Sequence, residues 1–232
     1  MRNTGLMGNS PCPVSLYLGF GNNMTQALKN ETPAEEVLAY TLHGNRYLNI
    51  SNRCNLYCHF CPRMENDWNV KGYELNMRGD PNAEALIKAM GSPTDYEEIV
   101  FCGLGEPTLC LDTVLTVARE VHRLGGKTRL NTNGLANLYH KRDITPELAS
   151  HIDAISVSLN AQDEETYNRH CLPRQPGAYQ ALLDFVVCAK RHVPEISLTA
   201  VDGLPGVDIE ACRRIAENLG VGFRRRVLHE VG

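Results

Sequence analysis

The sequence of 232 residues lacks a long apolar run and a strong excess of charge of either sign. No stretch approaches the roughly 18–20 apolar residues that a membrane-spanning helix needs. The formal net charge is -4, so the chain as a whole has no general attraction to nucleic acid or to an anionic membrane. A clear secretory signal is also missing, because the short apolar stretch at residues 14–20 follows a single basic residue and precedes no small-residue cleavage site. We therefore expect a cytoplasmic protein.

Short β-rich runs alternate with helical patterns about six times after residue 47. The runs are rich in Ile, Val, Leu, Phe and Thr and span 47–51, 98–103, 128–134, 154–160, 196–203 and 222–228. Helical apolar stripes lie at 111–124, 176–191 and 208–219, with Asp208 and Gly220 as the expected caps of the last. This alternation predicts an α/β fold with a parallel sheet. Six units are too few for a full eight-stranded barrel, so a partial (β/α)6 TIM-like barrel is favoured over an open doubly wound sheet.

The first 40 residues differ from the rest of the chain. They are rich in Asn, Gly, Pro and Thr and show no long period. We interpret residues 1–40 as an N-terminal extension, either poorly ordered or an over-extended start with Met24 as the true initiator. The predicted single core domain covers residues 41–232.

Nine cysteines are an odd number in a chain that is neither small nor evidently secreted, so a disulfide framework does not explain them. Three of them, Cys54, Cys58 and Cys61, lie directly after the first predicted strand. Three thiolates on one loop can hold one iron–sulfur cluster, and a four-iron cluster so held keeps one iron without a protein ligand. The other six cysteines are interpreted as core or incidental thiols: Cys12, Cys102, Cys110, Cys171, Cys188 and Cys212.

Two alternatives for the three cysteines stay open at this point. A zinc site is disfavoured because structural zinc takes four ligands, and His59, the nearest candidate for the fourth, has Cys58 and Phe60 as its immediate neighbours. A chance cluster of structural thiols is the other alternative.

Polar and glycine residues follow the predicted strands at their carboxyl ends, where parallel βα barrels carry their chemistry. Strand two ends in G-L-G-E-P-T, where Gly105 allows a close backbone approach and Glu106 can accept hydrogen bonds from an ammonium group. Strand three ends in N-T-N-G, with Asn133 as the candidate ligand-binding residue. Strand four places Ser158 and Asn160 on one face, where a buried polar group needs a ligand or a neighbour. A turn with no ligand is the alternative for the motifs after strands two and three.

The loop Cys54-x3-Cys58-x-Phe60-Cys61 resembles the signature of the radical SAM superfamily. The resemblance implies a 4Fe–4S cluster bound by Cys54, Cys58 and Cys61, S-adenosylmethionine (SAM) on the open iron, and reductive cleavage to a 5′-deoxyadenosyl radical. It further implies an adenine contact from the Phe60 backbone and a contact from Glu106 to the SAM amino group. We select Ser158 and Asn160 for the SAM carboxylate and ribose. Arg63 and the arginines at 224–226 face either a substrate anion or the surface.

The segment Y-T-L-H-G-N-R-Y-L-N-I-S-N-R-C, residues 40–54, is similar to the start of the TatD-linked radical SAM proteins. That resemblance implies a functional link to a TatD-type hydrolase and an external electron donor of the flavodoxin or ferredoxin type. A 7-carboxy-7-deazaguanine synthase-like enzyme and a glycyl-radical-enzyme activase are the alternatives within the superfamily. An iron–sulfur electron carrier that does not use SAM is the alternative of another class, and it would leave the strand-end motifs unexplained.

Overall fold

The computed structural model describes residues 36–228. Nine strands lie in this range: β1 Ala39–Leu42, β2 Asn45–Asn49, β3 Asn69–Val70, β4 Tyr73–Glu74, β5 Ile99–Cys102, β6 Thr128–Thr132, β7 Ala154–Ser158, β8 Glu195–Asp202 and β9 Gly222–Val227. Seven α-helices accompany them: α1 Ala83–Met90, α2 Leu111–Arg123, α3 Ala136–His140, α4 Thr145–Leu148, α5 Glu164–Cys171, α6 Ala178–Ala189 and α7 Ile209–Leu219. The predicted extension lies outside the described residues, except that β1 begins at Ala39, two residues before the expected core boundary.

Seven strands form one sheet in the order β1-β2-β5-β6-β7-β8-β9. The six strands from β2 to β9 pair in parallel, and β1 pairs antiparallel with β2 through a hairpin. A single cavity is lined by Tyr40 of β1 and by Arg224 of β9, so the sheet curves until its two edge strands share one concave side. The six parallel strands confirm the predicted α/β partial barrel.

The convex face of the sheet carries the main hydrophobic core. Alternate strand residues such as Leu48, Phe101 and Leu130 are fully buried there. The helix stripes predicted from the sequence pack against them, including Val114 and Val121 of α2. The apolar face of the strands and the apolar stripes of the helices thus pack together in one buried layer.

The helix ends follow their capping chemistry. The Asp208 carboxylate accepts a hydrogen bond from the Ala211 N–H at 2.9 Å, and Gly220 ends α7 with a left-handed φ of 65°. Leu124, which we placed in the apolar stripe of α2, is instead 39% exposed, because the helix has ended at Arg123 and Leu124 is its C-cap. Within residues 36–228 no helix is long and apolar enough to cross a membrane.

The concave face of the sheet is divided. Its β1–β2–β5 half holds a second, smaller apolar cluster of Tyr40, Val70, Leu75, Val100 and Cys102, which the β3–β4 hairpin helps to cover. Its β6–β9 half carries polar and cationic side chains instead, among them Arg129, Asn131, Ser158, Arg224 and Arg226. The candidate site lies on this divided face.

Candidate active site

A cavity of about 350 Å³ opens on the concave face. Its lining includes the loop that follows β2, the residues just after β5 and β6, and the last residues of β7 to β9. All three cysteines of the loop line it, and so do all six residues that the sequence selected for SAM, which are Phe60, Gly105, Glu106, Asn133, Ser158 and Asn160. The fold therefore brings together the whole set of residues that the sequence singled out.

The cysteine loop is held from within by Arg63. Its guanidinium donates to the carbonyl of Asn52 at 2.7 Å and to that of Leu56 at 3.2 Å, so one side chain ties both arms of the loop. The Cys61 N–H donates to the Cys58 carbonyl at 2.9 Å and closes a tight turn between the second and third cysteines. Arg63 therefore has a structural role in addition to its place in the cavity lining.

The same loop is held from outside by the end of α5. The Tyr57 N–H donates to the Cys171 carbonyl at 3.1 Å, and the His59 N–H donates to the His170 carbonyl at 3.1 Å. The imidazoles of His59 and His170 are also hydrogen-bonded, Nε2 to Nδ1, at 2.7 Å. His59 is thus engaged with α5 and not with the cysteine thiols.

The three thiols are free and half-buried. In the protein alone, burial raises the pKa of Cys54 to about 11 and raises the pKa of Cys61. The pKa of Cys58 is raised by a hydrogen bond with the Cys171 thiol and then by burial. A bound metal has the opposite effect on these thiols, because coordination deprotonates a thiol outright.

The number of thiols and their place on one loop bear on whether they hold a metal ion or a cluster. Within the described part of the chain, no three His, Cys, Asp or Glu side chains are grouped closely enough to hold a metal ion. The ligands of a four-iron cluster need not lie so close together, because each thiolate binds a different iron. The donor set, three thiols on one loop around a cavity, fits a cluster with one open iron, whereas structural zinc takes four protein ligands.

Glu106 is 2% exposed and joins three segments of the site. Its Oε1 accepts from the Thr108 N–H at 3.0 Å, the Thr108 hydroxyl at 2.6 Å and the Thr132 hydroxyl at 2.7 Å, and its Oε2 accepts from the Asn133 N–H at 2.7 Å. Its own N–H donates to the Arg53 carbonyl at 2.7 Å. Burial raises the pKa of Glu106, and these hydrogen bonds oppose the rise. Oε2 keeps room for one further donor.

Gly105 makes this junction possible. A Cβ atom there would come within 2.2 Å of the Ser51 carbonyl oxygen and 2.4 Å of the Arg53 carbonyl oxygen. Only glycine lets the loop after β5 pack directly on the backbone that leads to Cys54. The sequence suggested a close approach to a ligand, and the structure shows the close approach to be one of backbone to backbone.

Asn133 reaches the first cysteine. Its amide Nδ2 donates to the Asn55 side-chain oxygen at 2.6 Å and lies 3.8 Å from the Cys54 sulfur. Nδ2 of its partner Asn55 is buried without a hydrogen-bond partner among residues 36–228, and so is Oδ1 of Asn131, which lines the cavity. Unpaired buried polar atoms are uncommon in folded proteins, and at a cavity wall they are typical of a ligand site.

Ser158 and Asn160 close the other side of the cavity. Ile155 and Val157 of β7 are in the core while Ser158 faces the cavity, so the predicted alternation is confirmed. Asn160 adopts a left-handed φ of 61°, which Asn tolerates better than most residues. Its Nδ2 lies 3.7 Å from the Cys171 sulfur, and its Oδ1 accepts from Arg226 at 3.1 Å.

Two residues next to the site were not selected from the sequence. Cys171, interpreted as an incidental thiol, is buried beside Cys58 and Asn160. Asn55 pairs with Asn133. Asn55 meets Asn133, and Cys171 meets Cys58, across more than 70 residues of sequence. No local sequence pattern could therefore have identified these two residues.

Comparison with known proteins finds relatives in sequence and in fold. A tungsten-containing aldehyde ferredoxin oxidoreductase cofactor-modifying protein of Pyrococcus furiosus is 28% identical over 116 residues, which are 49% of this chain and 28% of that protein. The structure of TYW1 with a lysine-pyruvate adduct superposes with a TM-score of 0.57 at 16% identity, over 82% of this chain and 66% of that one. Streptococcus suis SuiB bound to S-adenosylmethionine superposes with a TM-score of 0.57 at 18% identity, over 80% and 38%.

The chain thus spans at most 66% of the length of these relatives, and the structural likeness at such identities concerns the fold. The family model of the radical SAM superfamily matches residues 48–219, from the second strand to the last helix. Because this match covers most of the chain, the protein belongs to the radical SAM superfamily, whose members use a 4Fe–4S cluster and SAM.

Proposed function

We propose that this protein is a radical SAM enzyme in which Cys54, Cys58 and Cys61 hold a 4Fe–4S cluster. The observation that supports it best is that three free thiols of one loop line a cavity at the carboxyl ends of six parallel strands. The same cavity is lined by the buried Oδ1 of Asn131, which has no hydrogen-bond partner in the described part of the chain. When bound, the reduced cluster and SAM supply one-electron cleavage to methionine and a 5′-deoxyadenosyl radical, which takes a hydrogen atom from the substrate.

The residues of the chain bind and orient SAM in this proposal. Oε2 of Glu106, which has room for one more donor, receives the SAM ammonium group, and the carboxylate is fixed in direction by its four existing hydrogen bonds. The Phe60 backbone meets the adenine, and Ser158 and Asn160 meet the carboxylate and the ribose. The backbone of Gly105 contributes at the same junction.

Asn133 stays a predicted SAM contact, and its side chain has a second role. Its Nδ2 donates to Asn55 and lies next to the Cys54 sulfur, so it also orients the first cysteine. Oδ1 of Asn131, which has no partner among residues 36–228, can accept a further hydrogen bond from a ligand. Water is excluded by the surrounding apolar groups, of which Leu56 and Leu75 line the cavity.

Within the superfamily, we propose that the protein belongs with the TatD-linked radical SAM proteins and acts in the cytoplasm. The support is the segment 40–54, which forms the β1–β2 hairpin and leads directly into the cysteine loop. An external flavodoxin or ferredoxin supplies the electron, and the exposed Tyr57 on the outer side of the loop leaves a surface for it. A functional partnership with a TatD-type hydrolase follows from the same assignment.

Anaerobic reconstitution with iron and sulfide tests the proposal. We expect about four irons per chain, as one cubane cluster requires. Dithionite and SAM should then yield 5′-deoxyadenosine and methionine, slowly without substrate. A redox-active cluster that neither cleaves SAM nor changes its spectrum on SAM addition would identify an electron carrier instead. Stoichiometric zinc without iron-dependent absorbance would contradict the cluster itself.

A further inference from the structure

The cavity is strongly cationic. Among residues 36–228, four arginines and a single carboxylate line it, namely Arg63, Arg129, Arg224, Arg226 and Glu106. The carboxylate accepts four hydrogen bonds from Thr108, Thr132 and Asn133, and its one open position is assigned to the SAM ammonium group. SAM carries a sulfonium and an ammonium group against one carboxylate, so it adds no negative charge, whereas a cluster with its three thiolates adds some. Which of the arginines already have partners in the protein therefore decides where a further anion can bind.

The arginines differ in how far the protein already satisfies them. Arg63 donates to two backbone carbonyls of the cysteine loop, and Arg129 pairs with Glu98 at 3.2 Å. Arg226 donates only to the neutral side-chain oxygen of Asn160, at 3.1 Å, and its Nε atom is buried without a hydrogen-bond partner within the described residues. No carboxylate of the described chain forms an ion pair with it.

The position of Arg226 is set by the alternation of β9. Arg224 and Arg226 face the cavity, while Arg225 points to the opposite side and pairs with Asp202. Burial lowers the pKa of Arg226, and the charge of Arg224 lowers it further. Arg226 is half-buried, and a guanidinium in such a place is unfavourable unless an anion compensates its charge. A guanidinium fork suits a carboxylate or a phosphate, which it can bind through two parallel hydrogen bonds.

We propose that Arg226, with Arg224 beside it, binds an anionic group of the substrate, a carboxylate or a phosphate. The inference that this anion belongs to the substrate rests on the proposed radical SAM function, whereas the anion site itself rests on the cavity. The substrate of the enzyme is then an acid or a phosphorylated molecule whose charged group is anchored at β9, across the cavity from the cysteine loop that follows β2.

Calorimetric titration tests this with two probes, inorganic phosphate and succinate, on reconstituted protein saturated with SAM. At least one probe should bind, and Arg226→Gln should weaken that binding on the order of tenfold or more, as loss of a charged hydrogen-bond pair does. Arg226→Lys, which keeps the charge without the fork, should lie between the two. Arg225→Gln is the matched control from the opposite face of the same strand and should bind the probe like the wild type.

Four results would overturn the inference. Neither probe binds the wild-type protein; Arg225→Gln weakens the probe as much as Arg226→Gln; Arg226→Gln weakens SAM itself; or it shifts only the midpoint potential of the cluster. The third result would give the anion to SAM, and the fourth would make Arg226 a partner of the cluster. Release of 5′-deoxyadenosine without substrate reports on the proposed function separately, so loss of that reaction in the wild type is distinguishable from loss of the anion site.

Discussion

The two faces of the curved sheet are made by the same strands from opposite kinds of residue. On β6, Leu130 points to the convex face and is fully buried under the helices, whereas its neighbours Arg129 and Asn131 point to the cavity. On β7, Val157 and Ser158 divide in the same way. The convex face buries apolar area and stabilises the fold, while the concave face keeps polar atoms that are only partly satisfied. Stability and ligand binding are thus assigned to different faces of one sheet.

The concave face itself shows that this division is local. Its β1–β2–β5 half is apolar, with Tyr40 stacked on Tyr47 at 5.3 Å between ring centroids. The β6–β9 half carries the arginines of the cavity lining, Arg129, Arg224 and Arg226, and the unpaired Oδ1 of Asn131 within residues 36–228. The apolar half closes one side of the cavity against water, and the polar half faces whatever the cavity binds.

Removal of one cysteine should give the largest effect and should leave the fold intact. Cys58→Ala takes away one of three thiolates, so we expect loss of nearly all reconstituted iron and of all SAM cleavage. Iron content and visible absorbance measure the cluster, and thermal unfolding measures the stability of the fold. Cys188→Ala on α6 is the control and should keep about four irons. A Cys58→Ala protein that retained the full cluster would exclude Cys58 as a ligand.

The sharpest contrast between the faces comes from adjacent residues of β6. Leu130→Ala should lower the free energy of unfolding by about 2–5 kcal/mol, because it leaves a cavity in the main core. Asn131→Ala should change it by less than about 0.5 kcal/mol, since its buried Oδ1 has no partner within residues 36–228 to lose. Urea unfolding measures both. Equal losses would show that the cavity wall also carries the stability of the fold.

Much of this division could be predicted from the sequence, because it depends on local periodicity. The alternation of Ile155, Val157 and Leu159 with polar residues placed one face of β7 in the core, and the stripe of α2 did the same for that helix. The cysteine spacing and the strand-end motifs located the cavity. These features are short-range patterns, and parallel βα topology fixes which ends of the strands meet.

The partners of the site residues could not be predicted in this way. Asn133 had the motif of a ligand-binding residue but is held by Asn55, which lies 78 residues away in the chain. Cys171 and Cys58 come together only because α5 pairs its last carbonyls with the cysteine loop. Such contacts depend on the packing of distant segments, and the local sequence carries no trace of them.

The opposite end of the sheet, at the amino ends of β6 and β7, supplies the smallest and most specific test. Asp153 precedes β7, and its carboxylate accepts from the Thr128 N–H at 2.8 Å and contacts His122 Nε2 at 2.9 Å. Burial alone would raise the pKa of Asp153, but these hydrogen bonds and the nearby imidazole lower it overall. A lowered carboxyl pKa stabilises the folded protein at pH values above the pKa of the unfolded chain, about 3.9, and this stabilisation is lost as the pH falls through the pKa of the folded protein.

Asp153→Asn should therefore be slightly less stable than the wild type at pH values near neutral, and the difference should vanish in strongly acidic buffer. Urea unfolding across a pH series measures it, with Asp184→Asn on α6 as the control for loss of one exposed carboxylate. SAM cleavage should be unchanged in Asp153→Asn, because neither Asp153 nor its partners Thr128 and His122 line the cavity. If Asp153→Asn lost SAM cleavage but kept its stability, the amino ends of β6 and β7 would affect the cavity. That result would contradict the separation between the residues that stabilise the fold and the residues that bind the ligand.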